Sequence, residues 1–191
     1  MSQPIAASAV REFLFRHLAE VFSTMLSLPA LPVTEPVPES LLERISGTVS
    51  FAGEAVTGAV YLHVPVPFAV RITCAMLGMQ PEEAPGDADV NDVMGEVANM
   101  LAGGLKSWLC DAGAACVLTT PAIIRGASFR ILAREGVSQI QFHFLSDAQY
   151  GLLEVHIKFN DKPSRDIDHD RVAAATWLSE EKKGNDLRSV V

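Results

Sequence analysis

The hydrophobic period of this chain changes near Gly113, and this change limits the folds that the chain can adopt. From about Asp89 to Ala112 the apolar residues recur every three or four positions, which predicts a long amphipathic helix. After Gly113 apolar and polar residues alternate, which predicts β-strands. A second helical stripe covers residues 5–27. These patterns predict an α+β fold in which an antiparallel-rich β-sheet packs with two long α-helices, within 1–27 and 89–112.

Shorter predicted elements occupy much of the remaining sequence. Two β-rich runs, 48–51 and 56–64, flank a turn and predict a hairpin, and a short helix follows at 68–77. The proline-rich stretch 28–40 predicts a linker or an edge crossing, because proline at this density stops a helix and favours an extended connection. Four strands are predicted after the long helix, at 116–126, 127–134, 137–145 and 151–159.

The last two predicted strands have one apolar face and one polar face. On the polar face, His143 and His156 are candidates to lie opposite each other and hold a metal ion. No third ligand is evident, so the sequence favours two surface histidines and predicts no metal site. The three cysteines show no CxxC spacing, which argues against a zinc or disulfide framework. Trp108 and Phe129 occupy apolar positions and are predicted to be core residues.

Composition and charge exclude several classes of function. The 191 residues are 49% hydrophobic and carry a net charge of −8 with no basic stripe, which argues against a nucleic-acid partner. No apolar run approaches the roughly 20 residues of a membrane span, and the first residues lack the pattern of a secretory signal. We therefore expect a cytoplasmic protein without a membrane partner. We predict one domain over 1–161 and a partly helical C-terminal appendage over 162–191, where the sequence turns hydrophilic.

One side of the predicted helix 89–112 carries an unusual set of residues, which we call the polar row. Steps of four, three, four and three place them on one face, opposite the apolar stripe. The simplest interpretation is a solvated helix face. Asn and Gly nevertheless cost helix stability, whereas an amide beside a carboxylate, with a glycine leaving room, suits close approach by another surface. The polar row consists of Asp92, Glu96, Asn99, Gly103 and Lys106.

The first three residues of the polar row also form a motif. The spacing Asp92-x-x-x-Glu96-x-x-Asn99 resembles the signature of the CheX/CheC/FliY family of chemotaxis phosphatases. The stretches GEAVTGAVYL, GEVANMLAGGLK and TTPAIIRG are similar to the CheX branch, and the resemblance covers about residues 5–160 in the same order. The first helix has no E-x-x-N, so the two-site arrangement of CheC is not expected.

The resemblance implies an enzyme that accelerates hydrolysis of the aspartyl-phosphate of a CheY-type response regulator. On this resemblance Asn99 orients the attacking water, and Glu96 pairs with the active-site lysine of the regulator. Asp92, Gly103 and Lys106 are expected to support the helix or contact the partner. The protein would need no cofactor of its own, because the Mg²⁺ and the phosphorylated aspartate belong to the regulator.

Two further expectations follow from the resemblance. CheX-type domains pair as symmetric homodimers, and the strand-rich sequence after residue 115 suggests a sheet edge that needs covering. The alternative to an enzyme is a non-catalytic module with the same fold, which docks a response regulator or a flagellar-switch component. An intact Glu96 and Asn99 favour the enzyme, because an adaptor has no need of the amide.

Overall fold

A computed structural model of the protein describes residues 5–34, 43–80, 83–127 and 129–160. The predicted C-terminal appendage, including a helix expected around residues 171–183, lies outside the described residues. Within them the α+β fold is confirmed, since helices pack on an antiparallel sheet. No helix in these ranges has the length and apolarity that a bilayer crossing requires.

Three helices lie along the described chain, namely α1 (Ala7–Met25), α2 (Val66–Leu77) and α3 (Asp87–Asp111). The two long helices match the prediction, and α2 begins two residues earlier than predicted. It ends at Gly78, whose φ of 66° is a left-handed conformation that glycine adopts without steric cost. At the start of α3 the Asp89 carboxylate accepts the backbone N–H of Gly86 at 3.0 Å. This contact satisfies one of the donors that the first turn leaves free.

The described strands form one sheet in the order β1-β6-β7-β3-β2-β4, and β5 also pairs with β2. All pairings are antiparallel. β4 and β5 therefore follow one another along the same edge of β2. The strands are β1 (Leu31–Val33), β2 (Arg44–Ala52), β3 (Val56–Pro65), β4 (Val117–Leu118), β5 (Ala122–Gly126), β6 (Ser138–Ser146) and β7 (Gln149–Phe159).

The hydrophobic core lies between the three helices and one face of the sheet. A cluster of fully buried aromatic rings joins α1, α2 and β6, with the rings of Phe22 and Phe144 5.1 Å apart and Phe68 beside both. Under α3 the strand β2 carries Gly47, where an added Cβ would lie 2.5 Å from the Met94 carbonyl oxygen. Glycine thus permits the close approach of the sheet to α3.

Several predicted strand boundaries are wrong. The segment 127–134, predicted as a strand, has no strand among its described residues, and instead runs beside the sheet face that the helices leave free. The predicted strand 116–126 is divided into β4 and β5 around Pro121, which has no N–H to donate. Within the stretch 28–40, predicted as a linker or an edge crossing, residues 31–33 form the short edge strand β1, where proline is tolerated.

The face of the sheet opposite the helices, here called the outer face, also differs from the prediction. His143 pairs with Leu152 and His156 with Gln139, so the two histidines are not opposite each other. His156 is buried, and the prediction of a surface histidine is wrong there. The reason is that polar side chains from neighbouring strands pack against one another around the buried Glu154.

The two aromatic residues predicted to be core are both only partly buried. Trp108 stacks on Phe13 of α1 with ring centroids 5.3 Å apart. Phe129 lies on the outer face, where the guanidinium of Arg44 sits 5.1 Å above its ring.

Candidate functional site

The structure places the whole polar row on the outward side of α3. Asp92 and Glu96 are exposed, and Asn99, Gly103 and Lys106 are partly exposed. The helix packs through its other side, where Met94, Leu101 and Leu105 are fully buried among others. Side chains three and four positions apart on a helix are neighbours, so Glu96 and Asn99 lie about 5–6 Å apart at Cβ. The five predicted residues are thus brought together on one accessible surface.

The carboxylate and amide of the polar row have no partner within the described chain. None of the side chains of Asp92, Glu96 and Asn99 forms a hydrogen bond or ion pair with another described residue. An exposed carboxylate keeps its hydration, and its charge is available to an external cation. An exposed amide offers both a donor and an acceptor. The surface is therefore suited to bind a positively charged group and to position a water molecule.

One flank of the polar row is fixed to β5 by Arg125. Its Nε donates to Asn91 Oδ1 and its Nη1 to Asp87 Oδ1, both at 2.9 Å. Both acceptors lie in the first turns of α3, directly before Asp92. The guanidinium thereby ties the beginning of the helix to the edge of the sheet. Because Asp87 is 87% exposed, the ion pair itself adds little stability, and its contribution is mainly orientation.

The other flank of the polar row is fixed to α1. His17 Nε2 lies 3.1 Å from the backbone oxygen of Met100, and its ring occupies the space that a side chain at position 104 would need. Phe13 stacks on both His17 and Trp108, which continues the contact along α3. The polar row is therefore carried by a helix held on both sides, as a positioned surface requires.

Gly103 of the polar row and Gly95, which directly precedes Glu96, have different surroundings. Gly95 is buried, and an added Cβ there would contact Pro121 at 3.4 Å. At Gly103 an added Cβ would meet no described atom within 4 Å. The internal packing of the described chain therefore does not require glycine at position 103. Glycine at position 103 nevertheless lowers the stability of the helix by about 0.5–1 kcal/mol relative to Ala.

The roles of Arg125 and His17 are not visible in the sequence. Arg125 is a single cation in an otherwise apolar strand, and its two acceptors are more than thirty residues away. His17 contacts a backbone oxygen 83 residues along the chain. Only the packing of α1 and β5 beside α3 reveals these contacts. The only sequence feature that points to a special role for Arg125 is its position next to apolar residues in a strand.

The fold places the chain in a class of proteins, the CheX- and CheC-like domains. A chemotaxis protein CheX from Vibrio vulnificus superposes with a TM-score of 0.68 and 26% identity, covering 81% of this chain and 100% of that one. A chain from the CheX–CheY–BeF₃–Mg²⁺ complex of Borrelia burgdorferi superposes with a TM-score of 0.60 and 20% identity, covering 77% of this chain and 96% of that one. FliY of Thermotoga maritima superposes with a TM-score of 0.55 and 13% identity, covering 80% of this chain and 91% of that one. This match shows a shared fold.

The family itself is shown by sequence. A family model described as chemotaxis phosphatase CheX matches residues 45–145, which is more than half of the chain. A search of curated proteins finds no match. This chain belongs to the CheX family of chemotaxis phosphatases, and the predicted family resemblance is confirmed. The match includes α3 and therefore the whole polar row.

Proposed function

We propose that this protein accelerates hydrolysis of the aspartyl-phosphate of a CheY-type response regulator. The observation that carries the proposal is the solvent-accessible pair Glu96 and Asn99, unpartnered among the described residues, on a helix of a CheX-family chain. The solved Borrelia burgdorferi complex of CheX with CheY, BeF₃ and Mg²⁺ supports the choice of partner. A response regulator of this kind would place the reaction in the cytoplasm.

In the proposed reaction a water oxygen attacks the phosphorus in line with the bond to the aspartyl oxygen. That P–O bond breaks, and the products are inorganic phosphate and a free aspartate carboxylate on the regulator. The Asn99 amide would accept a hydrogen bond from the water and hold it in line. Such positioning is the main contribution a protein makes to phosphoryl transfer. The Mg²⁺ that neutralises phosphoryl oxygens would belong to the regulator.

Glu96 would fix the register of the two proteins by pairing with the active-site lysine of the regulator. One turn earlier, Asp92 would support the interface. Gly103 would leave room for the partner backbone, and Lys106 would meet an acidic group on it. These roles need an accessible polar row, and its residues are exposed or partly exposed in the described chain.

Decay of a phosphorylated regulator tests the proposal directly. The regulator is phosphorylated with acetyl phosphate, and its decay is followed with wild-type protein, with Asn99→Ala and with Asp111→Ala. Asp111 is the last residue of α3 and lies about 18 Å along the axis from Asn99. We expect Asn99→Ala to abolish the acceleration and Asp111→Ala to retain it. Wild-type acceleration by Asn99→Ala would refute the assignment, and binding without acceleration by the wild type would favour the non-catalytic module.

We also propose a homodimer with two separate sites. The edge formed by β4 and β5 carries apolar side chains in the open, with Val117 69% and Ile124 37% exposed. An edge strand with such residues is a surface that a second chain can cover. Light scattering at micromolar concentration should give twice the chain mass of 20.5 kDa. A fully active monomer would contradict the dimer and leave the chemistry intact, whereas a dimer that buries the polar row would count against both.

A further inference from the structure

A cavity of about 330 Å³ lies on the outer face of the sheet, away from α3 and the polar row. One wall is the sheet and another is the segment after β5, which contributes Phe129 and Leu132. Its volume is at the lower end of the range for small-molecule sites, and its mouth is open on one side. The polar groups that line it come from four strands and from the segment after β5, namely Arg44, His63, Arg130, Gln139, Gln141 and Glu154.

Glu154 provides the negative charge of the cavity. The carboxylate is only 4% exposed, and its Oε1 accepts from His156 Nε2 at 2.5 Å and from Gln139 Nε2 at 2.6 Å. Burial alone would raise the pKa of Glu154, but the polar side chains of His63, Gln139 and His156 around the carboxylate outweigh burial and lower the pKa to about 2. The carboxylate is therefore ionised at neutral pH. Its second oxygen, Oε2, lies 3.4 Å from His63 Nε2 and accepts no hydrogen bond from a described residue.

His63 contributes a buried nitrogen with no hydrogen-bond partner. The side chain is 5% exposed, its Nδ1 lies 2.5 Å from Ser46 Oγ, and its Nε2 has no partner among the described residues. Because Nε2 faces a carboxylate, the proton belongs on Nε2, and the Ser46 hydroxyl then donates to Nδ1. The nearest acceptor to this N–H of His63, a residue that lines the cavity, is Glu154 Oε2, which lies 3.4 Å away and outside hydrogen-bond geometry. Such a buried donor costs free energy until an acceptor is supplied.

Arg44 contributes a second buried donor. Its Nη2 donates to the Phe129 backbone oxygen at 3.0 Å, whereas its Nε is buried and has no partner among the described residues. No described carboxylate lies within ion-pair distance of this guanidinium. Arg130 adds another positive charge at the exposed rim. Two guanidiniums and one carboxylate therefore leave the lining with an excess of positive charge, which suits an anionic ligand.

A metal ion does not fit this arrangement. The two histidines approach different oxygens of Glu154, with His156 at Oε1 and His63 at Oε2. They lie diagonally on either side of the carboxylate in the register of β3 and β7. Within the described part of the chain no three such side chains converge on one point. Two nearby arginines would also repel a cation.

We propose that the outer-face cavity binds a small carboxylic acid that carries a hydroxyl or amino group on the carbon next to the carboxylate. The carboxylate would accept from Arg44 Nε and His63 Nε2, with Arg130 closing over it. The neighbouring hydroxyl or amino group would donate to Glu154 Oε2. This ligand class supplies an acceptor to both free donors and a donor to the free oxygen. The cavity is separate from the polar row, so the proposal does not depend on the phosphatase activity.

Titration of the full-length protein with three matched probes tests the proposal. L-lactate has both groups, propionate lacks the hydroxyl, and propane-1,2-diol lacks the carboxylate. Binding is followed by calorimetry and by the ¹H–¹⁵N NMR signals of residues lining the cavity. We expect a dissociation constant of about 1 mM or lower for lactate. Propionate should bind at least about tenfold more weakly than lactate, because Glu154 Oε2 then receives no hydrogen bond from the ligand. The diol, which lacks the carboxylate, should not bind.

Arginine variants locate the binding and provide the control. Arg130→Gln and Arg44→Gln should each weaken lactate binding at least about tenfold. Arg134→Gln changes an exposed arginine of the same segment that does not line the cavity, and should leave binding unchanged. Since Arg130 is exposed, its variant tests the site even if Arg44→Gln fails to fold. Equal binding of lactate and the diol, no binding of lactate, or an equal loss in Arg134→Gln would each overturn the proposal.

Discussion

The polar row of α3 and the Glu154 cluster of the outer face use the same kinds of residue in opposite settings. Glu96 is exposed and has no described partner, whereas Glu154 is 4% exposed and is held by Gln139 and His156. A hydrated carboxylate is available to a partner protein. A buried carboxylate needs hydrogen-bond donors from the protein itself, and it therefore fixes the positions of the side chains around it. The setting of a polar residue, more than its type, therefore separates the proposed docking surface from a buried polar cluster with a cavity beside it.

The largest change in stability is expected for a substitution at the contact between the sheet and α3. Gly47→Ala would place a Cβ 2.5 Å from the Met94 carbonyl oxygen and 2.9 Å from the Ala98 Cβ. Since backbone and a short side chain cannot move aside, α3 and β2 must separate. We expect a loss of about 3 kcal/mol or more in the free energy of unfolding, measured with urea. The same substitution at Gly103 meets open space and serves as the matched control. Similar stabilities for the two variants would mean that α3 does not depend on close packing for its position.

The next effect concerns the outer face and depends on pH. The pKa of Glu154 is lowered from its ordinary value of 4.5 to about 2 in the folded protein. A depressed pKa in the folded state contributes stability above the ordinary value, and this contribution is lost as the pH falls from 4.5 toward 2. The loss should reach up to about 3 kcal/mol.

Other carboxylates titrate in the same range, so Glu154→Gln supplies the reference. The difference in unfolding free energy between wild type and variant should shrink as the solution is acidified through this window. A difference that does not change with pH would show that Glu154 is not held ionised by its neighbours. The polar row should be unaffected, so dephosphorylation by Glu154→Gln at neutral pH should equal that of the wild type.

The same contrast explains what the sequence could and could not predict. The polar row follows from local geometry, because the positions of Asp92, Glu96 and Asn99 around a helix are fixed once the helix is recognised. The Glu154 cluster depends on the register of β3, β6 and β7, and a strand pattern alone does not set which residues face one another. The alternation correctly predicted a polar face, but not that Glu154 and His156 on that face are buried.

The strand boundaries that were predicted wrongly have a similar cause. In the segment 127–134 an apolar residue at every second or third position resembles a strand, yet its side chains contact the outer face instead of continuing the ladder. The Arg125 contacts with α3 likewise depend on tertiary packing. Short-range pattern therefore predicts elements, and the contacts between distant elements need the structure.

A smaller effect is expected for the charge of the polar row. Glu96→Gln should weaken binding of a BeF₃-activated regulator by about 2 kcal/mol, because an ion pair that is desolvated in the complex is lost. The stability of the fold should change by less than about 0.5 kcal/mol, since Glu96 is exposed. Glu54→Gln, at the exposed turn between β2 and β3, makes the same change of charge elsewhere. Calorimetry that finds equal weakening in both variants would indicate a general charge effect, and unchanged binding with slower turnover would give Glu96 another role.

The smallest effect on stability is expected at Gly103, and it has the opposite sign. Gly103→Ala removes a flexible residue from the interior of α3 and adds a Cβ that meets no described atom within 4 Å, so the protein should gain about 0.5–1 kcal/mol in urea unfolding. If the regulator approaches α3 closely at this point, the same methyl group should slow dephosphorylation by about tenfold, equivalent to about 1.4 kcal/mol. A more stable variant with lower activity would indicate that the glycine serves the partner and not the fold. A more stable variant with full activity would place the contact surface nearer Asp92, and Gly103 would no longer belong to the site.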